Sequence, residues 1–501
     1  MTSAADFIAL NARLRPGKLA ACDLASGRRW TYAQLHLAVG RFAAALAARG
    51  IGRGERVAAI AGNCVDLVLL HHACARIGAI YVPLNWRLSR TELSWLLDDC
   101  EPALVTGDAR LDAAEIEGLA LDELAAEAAR LDPMPDRPID PDTPSLILYT
   151  SGTSGRPKGA VLNERNLAET AINFSLLGQV TPDSVFLADA PMFHVIGLVT
   201  NIRPAFMRGG TVMVSDGFIP ARTLDRLGDP AIGATHYFCV PQMAAALRAE
   251  PGFDPARLSG LTALFTGGAP HPAADIAAWL DFGIPVADGF GMSEAGTVFG
   301  MPLDRDLIRE RAGSAGLATP RVQTRIVDES GRECPLGEPG ELLLRGDNIA
   351  SGYWRRPEES QAAFVDGGWF RTGDIVRTDP EGYHWLVDRK KDMFISGGEN
   401  VYPAEVEAAL AGHPLVTECA VIGVPDARWG EVGHLFVALA RDAAADRDGQ
   451  TAREEILSSL SAVLAKFKIP KHVSLVDALP RNGAGKVLKG ELRALARMED
   501  A

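Results

Sequence analysis

Leu148-Tyr-Thr-Ser-Gly-Thr-Ser-Gly-Arg-Pro-Lys-Gly-Ala160 is the stretch from which the rest of the chain can be read. The apolar run at residues 145–149 predicts a buried strand, which feeds into hydroxyls and glycines and then Pro157, Lys158 and Gly159. Glycine permits positive φ and close backbone approach. Successive backbone N–H groups in such a turn form a concave anion site, to which hydroxyls add donors and Lys158 adds charge. The stretch is therefore a loop for polyphosphate. Its spacing, Gly152-x-x-Gly155-x-x-Lys158-Gly159, is not that of the common nucleotide loop, which needs G-x-x-x-x-G-K-[ST]. A plain Gly/Ser linker is the alternative, but a linker has no need of Pro-Lys-Gly in fixed order behind a strand.

The whole chain sets the bounds. Its 501 residues allow two to four domains. A hydrophobic content of 47% and a charged content of 23% describe an ordinary globular protein. A net charge of −14 argues against a nucleic-acid or anionic-membrane surface. The seven cysteines are scattered and include no C-x-x-C pair, so neither a disulfide framework nor a zinc site is expected. Asp6 and Arg13 interrupt the N-terminal apolar stretch, which makes a poor signal peptide. No apolar run reaches about 18 residues, so no membrane span is predicted. The expectation is a cytoplasmic protein without nucleic-acid partners, for which a homodimer is an allowed assembly.

Around the loop the chain alternates. Thr31 and Gln34 fit a capping box for a helix running to about residue 49. Residues 56–61 and 79–84 read as strands flanking a helix at 64–77, which predicts a parallel βαβ unit. Residues 107–140 read as one or two surface helices and a loop. After the glycine loop a helix is predicted over 166–177, then strands at 184–188, 211–214, 236–240 and 261–265. From about Gly313 short alternating strands (323–327, 341–345, 382–387) suit a smaller β-rich subdomain. Alternation resumes with a helix at 403–410, a strand at 419–424 and a helix at 453–465. Residues 440–452 read as a solvated loop. The fold class is α/β.

Four further stretches carry chemistry. Thr266-Gly-Gly-Ala-Pro270 is a strand end whose backbone can lie flat against a planar ring. Asp288-Gly-Phe-Gly-Met-Ser-Glu294 sets an aromatic ring between glycines and ends in a hydroxyl and a carboxylate. Trp369-Phe-Arg-Thr-Gly-Asp374 puts a carboxylate after a glycine turn, and Arg481-Asn-Gly-Ala-Gly-Lys486 puts a lysine on a glycine loop. Each has an ordinary reading by itself. The first is a common turn, Glu294 suits a helix N-terminus, Asp374 suits a turn, Lys486 suits a solvated tail, and His194 suits a satisfied core position. Their joint order carries the signal.

That order is the order of a known family. From about residue 25 to 495 the chain resembles the adenylate-forming superfamily of acyl-CoA synthetases, luciferases and peptide-synthetase adenylation domains. The matching stretches also include Gly352-Tyr-Trp354, Asp388-Arg-Lys-Lys-Asp392 and Ser396-Gly-Gly-Glu-Asn-Val-Tyr-Pro403. In local wording it is closest to feruloyl-CoA synthetase-like bacterial ligases. The resemblance implies a large N-terminal domain of parallel-type α/β subdomains plus a β-rich subdomain (1–388). A hinge (389–391) pivoting on Lys391 and a small mobile C-terminal α+β domain (392–501) follow. It implies that a carboxylate attacks the α-phosphate of ATP, and that coenzyme A then displaces AMP from the acyl-adenylate.

By the same resemblance Thr150, Ser151, Gly152, Thr153, Ser154, Gly155 and Lys158 hold the β- and γ-phosphates. Thr150 and Glu294 neighbour Mg²⁺. Gly268, Ala269, Pro270 and Phe290 sandwich adenine, with Asp288, Gly289, Gly291, Met292 and Ser293 completing the nucleotide site. Phe290 stands where Tyr is usual, and Ser293 and Ser154 stand where Thr is usual; the stacking face and the hydroxyls survive. Asp374 and Arg389 are implied at the ribose, and Lys486 between the carboxylate and the α-phosphate. Ser396, Gly397, Gly398, Glu399 and Tyr402 are implied at the pantetheine.

The implied acyl pocket is His194, Val195, Ile196, Phe238, Val240, Phe265, Gly289, Ala295, Gly296, Val298 and Phe299. These are nearly all apolar, which suits an aromatic or medium-chain acid. Arg203 is the one nearby cation found by this reading. It either anchors a second carboxylate, as in a malonyl-type ligase, or is a helix residue facing away. Two other functions stay open: an adenylation enzyme loading a carrier protein, and a non-catalytic nucleotide binder. Intact Lys158, Glu294, Asp374 and Lys486 argue against the latter.

Overall fold

A computed structural model of the chain describes residues 5–150, 157–269, 271–396, 399–426, 428–440, 449–481 and 486–499. The chain divides into two compact units, Met1–Thr324 with Leu344–Phe370, and Arg325–Leu343 with Arg371–Ala501. Among the described residues no helix is long and apolar enough to cross a membrane. All seven cysteines are free thiols.

The first unit is built on two sheets. In one, strands run in the order Leu119–Ala120, Leu104–Gly107, Arg56–Ile60, Ile80–Pro83, Pro144–Thr150, Lys158–Asn163. All neighbours are parallel except the last pair. Parallel strands covered on both faces read as near-continuous apolar runs. Accordingly Ala58, Ile60, Ile80, Val82 and Ile147 form one buried core with Leu93 and Leu96. The βαβ expectation at 56–84 holds, with the helix at Val65–Ile77. The Arg90–Cys100 helix and the Leu104–Gly107 strand were not read from the sequence. Within 107–140 the Leu121–Ala128 helix is not wholly a surface element, since Leu121, Leu124 and Ala128 are buried.

The second sheet has nine strands. Its centre, from Val286–Met292 through Ala263–Thr266, His236–Cys239, Val185–Ala188 and Thr211–Val214 to Leu19–Asp23, is parallel. Antiparallel strands close it at both ends. The Tyr32–Ala48 helix starts on the expected capping box of Thr31 and Gln34.

The helix after the glycine loop begins at Glu164, two residues before its expected start, because Asn163 and Asn166 form its capping box. This matters for Arg203. Its guanidinium makes a two-pronged ion pair with Glu164 (Nη1–Oε2 2.7 Å, Nη2–Oε1 2.9 Å) and reaches His71 Nε2 at 3.1 Å. Ser145 Oγ donates to Glu164 Oε1 at 2.6 Å. Arg203 and Glu164 are buried at 4% and 5% exposure. Arg203 is thus occupied and enclosed, which removes it as an anchor for a second carboxylate. Arg203→Met should cost about 3–5 kcal/mol, since it leaves Glu164 buried without its counter-charge. Glu164→Leu/Arg203→Met should recover most of that loss. Urea unfolding of the three proteins checks both.

In the second unit residues 374–378 pair antiparallel with His384–Arg389. A further sheet runs Glu399–Val401, Phe394–Ser396, Gly430–Leu439, Val416–Asp426, with His472–Val476 parallel to Gly430–Leu439. Alternation along Val416–Asp426 fills two cores. Val421 packs with Val406, Leu435 and Ile456 on one face, and Ala420, Ile422 and Val424 pack with Phe436, Leu479 and Leu492 on the other. The expected loop at 440–452 is corrected at its end. The helix starts at Gly449, and Ala452 is 1% exposed because it belongs to the apolar stripe of Ile456 and Leu460. Residues 441–448 lie outside the described residues.

Candidate active site

The strand Pro144–Thr150 ends at Thr150, and the strand Lys158–Asn163 begins at Lys158. Thr150 is the register partner of Lys158, and its hydroxyl donates to the Lys158 carbonyl at 3.3 Å. Tyr149 OH donates to Asp99 Oδ2 at 2.7 Å. Ser151, Gly152, Thr153, Ser154 and Gly155 lie outside the described residues.

Lys158 Nζ lies 5.4 Å from the centre of the Tyr353 ring, and Tyr353 OH donates to Glu294 Oε1 at 3.0 Å. Burial and the Glu294 carboxylate both drive the Tyr353 phenol far above its ordinary value, so it stays a donor. Tyr353 was not singled out as a site residue, although it stands inside Gly352-Tyr-Trp354. Glu294 is not at a helix N-terminus. It occupies the turn between Val286–Met292 and Gly296–Gly300, and the Ala350 N–H donates to its carbonyl at 2.7 Å. Glu294 and Thr150 offer hard oxygens, the donor type Mg²⁺ takes while keeping waters and phosphate in its shell.

The hairpin explains the glycines around Phe290. A Cβ on Gly291 would meet the Gly296 carbonyl at 2.3 Å, and one on Gly289 the Phe299 carbonyl at 2.8 Å. Phe290 pairs across the hairpin with Phe299, their rings 5.6 Å apart. Met292 and Ser293 lead into the turn, both partly accessible. Gly268 has φ +83, which favours glycine, and the position of its absent Cβ lies 3.5 Å from Ile196 Cδ1 and 3.8 Å from Val240 Cγ1. The same position on Gly267 lies 3.3 Å from Phe238. Gly267, Gly268, Ile196, Phe238 and Val240 therefore come together; Ala269 follows them and Pro270 lies outside the described residues. Asp288 is the register partner of Thr266 and accepts from its hydroxyl at 2.7 Å. Burial pushes the Asp288 carboxyl up to about 7.

His194 precedes a π-helical turn at Ile196–Thr200, a distortion that recurs at functional sites. His194, Val195 and Ile196 are partly accessible. His194 Nε2 is buried with no hydrogen-bond partner among the described residues. Burial, then the charge of Arg87, pushes its pKa down to about 4, so the ring is neutral. The cation beside it is Arg87, 5.8 Å from the Phe193 ring, which the sequence reading missed. Of the other expected pocket residues, Phe265 packs against Phe174 at 5.1 Å, Gly296 abuts Thr170, and Ala295, Val298 and Phe299 have no surface open to solvent.

In the second unit, Asp374 and Arg389 face each other across the strand pair, Nε to Oδ1 2.6 Å. Gly373, φ +70, lies inside the Trp369–Thr378 strand and not in the expected turn, and the Thr372 hydroxyl accepts from the Asp374 N–H. Lys486 comes to the same place. Its side chain is exposed, yet partial desolvation lowers its pKa, Arg389 and Lys391 lower it further, and Asp392 and Asp374 act against them. Residues far apart in sequence, Asp374, Arg389, Lys391 and Asp392, thus form one charged group around Lys486. Asp388, before the expected hinge, accepts the Ala404 N–H at 2.8 Å, and burial raises its carboxyl to about 6. Ser396 and Glu399 are hairpin partners around Gly397 and Gly398, which lie outside the described residues. Tyr402 precedes the Pro403–Ala409 helix, whose first residue is the expected proline.

Comparison with known proteins shows the family. The AMP-binding enzyme family matches residues 8–354, and the AMP-binding enzyme C-terminal domain matches residues 405–486. A feruloyl-CoA synthase of Amycolatopsis sp is 41% identical over 93% of this chain and 94% of its own. An indoleacetate–CoA ligase of Aromatoleum aromaticum is 37% identical over 98% and 97%. The structure of O-succinylbenzoate coenzyme A synthetase from Bacillus subtilis with ATP and magnesium superposes with a TM-score of 0.85, at 29% identity over 97% of this chain and 99% of that one. The chain belongs to the AMP-binding enzyme family and is an adenylate-forming acid–thiol ligase.

Proposed function

We propose that this ligase activates a hydrophobic carboxylic acid, aromatic or of medium chain length, and that a hydroxycinnamic-type acid is its best substrate. The observation that carries this is the apolar group of Ile196, Phe238 and Val240 around Gly267 and Gly268, together with the neutral His194. The names of the feruloyl and indoleacetate relatives support the same class.

The reaction asks for positioning and charge neutralisation. A carboxylate is a poor electrophile, and the mixed anhydride with AMP gives it a good leaving group. Lys158 and the loop from Thr150 hold the β- and γ-phosphates as pyrophosphate departs. Glu294 and Thr150 would hold Mg²⁺, which would offset phosphate charge. Gly268, Ala269, Pro270 and Phe290 flank adenine, and Asp288 accepts from the base. Asp374 and Arg389 take the ribose. Lys486 bridges the substrate carboxylate and the α-phosphate, and His194 walls the carboxylate. The C-terminal segment then turns at Lys391, withdrawing Lys486 and bringing Ser396, Gly397, Gly398, Glu399 and Tyr402 to coenzyme A. The thiol attacks the acyl carbon and AMP leaves.

Pyrophosphate release with cinnamic, arylacetic, octanoic, acetic and dicarboxylic acids is the test. The aromatic acids should exceed acetate by about 10²-fold in kcat/KM, since acetate leaves most of the apolar wall unfilled. Acetate leading the panel would sink the reading. A second reading, a dicarboxylic acid, is favoured by Arg87 beside Phe193 and His194. In that case a dicarboxylate leads and Arg87→Met abolishes its advantage.

A further inference from the structure

Behind Asp288 lies a chain of two more polar groups. Thr266 Oγ1 lies 2.7 Å from Asp288 Oδ1 and 3.0 Å from His271 Nδ1. All three residues are buried, at 1%, 7% and 5% exposure for Thr266, Asp288 and His271. With Asp288 ionised, counting protons gives the chain its direction. A carboxylate only accepts, and a hydroxyl has one proton to give. Thr266 donates that proton to Asp288 and must accept from His271. His271 is then the neutral tautomer with its proton on Nδ1. Burial agrees, pushing His271 down to about 4, with Asp275 opposing and Arg248 adding to the shift. Arg248 is itself paired with Asp275.

The chain has a use if Asp288 meets the base. Adenine attached through N9 has one donor, its exocyclic amino group. A carboxylate can therefore read adenine only at that amine, and only while ionised. Burial works against the ionised state, raising the carboxyl to about 7. A donor delivered from behind works for it. We propose that His271, acting through Thr266, is a positioning residue that holds Asp288 as an acceptor for the adenine amino group and so sets nucleotide selectivity. The inference rests on the adenine reading given under Proposed function.

The experiment compares ATP with purine riboside triphosphate, which lacks the amino group, as substrates of the full-length enzyme. His271→Ala and Thr266→Val should each lower kcat/KM for ATP about tenfold, through KM, and leave the purine nucleotide unchanged. His271→Asn, whose amide restores an N–H near the place of Nδ1, should stay close to the unsubstituted enzyme. An equal loss on both nucleotides, or no loss on ATP, overturns the relay. Asp288→Ala tests the reading beneath it. If it collapses the ATP preference while His271→Ala does not, only the relay fails. If it leaves the preference intact, Asp288 does not read the base, and the relay has no function to serve.

Discussion

Lys486→Ala is expected to slow adenylate formation by about 10²–10³-fold, the cost of losing one preorganised charge at a site of developing anion. The second half-reaction, from presynthesised acyl-adenylate to acyl-CoA, should stay within about threefold, because a lysine that has left the site has nothing more to contribute. The local electrostatics support the assignment. Lys486 keeps an exposed side chain and lies near two further cations, Arg389 and Lys391, with Asp374 and Asp392 as the opposing acids. Such a cluster gains from an anion, and a substrate carboxylate closing on a phosphate brings one. The pH dependence follows with its sign. Partial desolvation by the surrounding protein and the neighbouring cations favour the neutral amine, so its pKa lies below the ordinary 10.5. Adenylation should therefore decline on the alkaline side below pH 10.5, and Lys486→Arg, which stays charged, should lose that decline. Pyrophosphate release and thioester formation, followed separately, decide it. If both half-reactions fall equally, Lys486 is not the adenylation lysine.

Lys391→Pro should give the opposite pattern. Proline fixes φ and restrains the residue before it. At a pivot it therefore removes the rotation itself. The substitution should cost little else, since the Lys391 N–H has no backbone acceptor among the described residues, whereas the Lys390 N–H donates to Gly373 and the Asp392 N–H to Arg389. Adenylation should continue within about threefold while thioester formation falls by about 10²-fold or more. Rapid-quench measurement of acyl-adenylate and acyl-CoA checks this: adenylate should accumulate without passing to CoA. An unchanged second step would refute the pivot at Lys391 without touching the role given to Lys486.

Much of this site is legible in one dimension. Strands such as Arg56–Ile60 and Gln323–Val327 follow from apolar or alternating runs, and Thr31 with Gln34 announces its helix. These depend on neighbours within a few residues. The positive φ of Gly373 is also local, a demand of its own backbone, whereas the glycines flanking Phe290 answer to the facing carbonyls of Gly296 and Phe299. The order of the glycine loop, Glu294, Asp374 and Lys486 was enough to identify the chemistry, because a reaction with fixed parts leaves a fixed order of residue types.

The rest depends on which segments the topology brings together. Glu164 and Arg203 lie 39 positions apart, and nothing local marks either as the other's partner. Arg203 therefore reads as either a carboxylate anchor or a helix residue facing away, while Arg87, near His194, goes unnoticed. Tyr353 reaches Glu294 across 59 positions, and Thr266 reaches Asp288 across 22. A side chain's type and spacing state what it can bond. Whether it is buried, and against whom, is set by strand register and by helices packed from distant parts of the chain. The loop from Thr150 to Lys158 thus reads as a phosphate cradle from its residues alone. That Lys158 lies by Tyr353, which bonds Glu294, and that Lys486 joins Asp374 and Arg389, only the folded chain could decide.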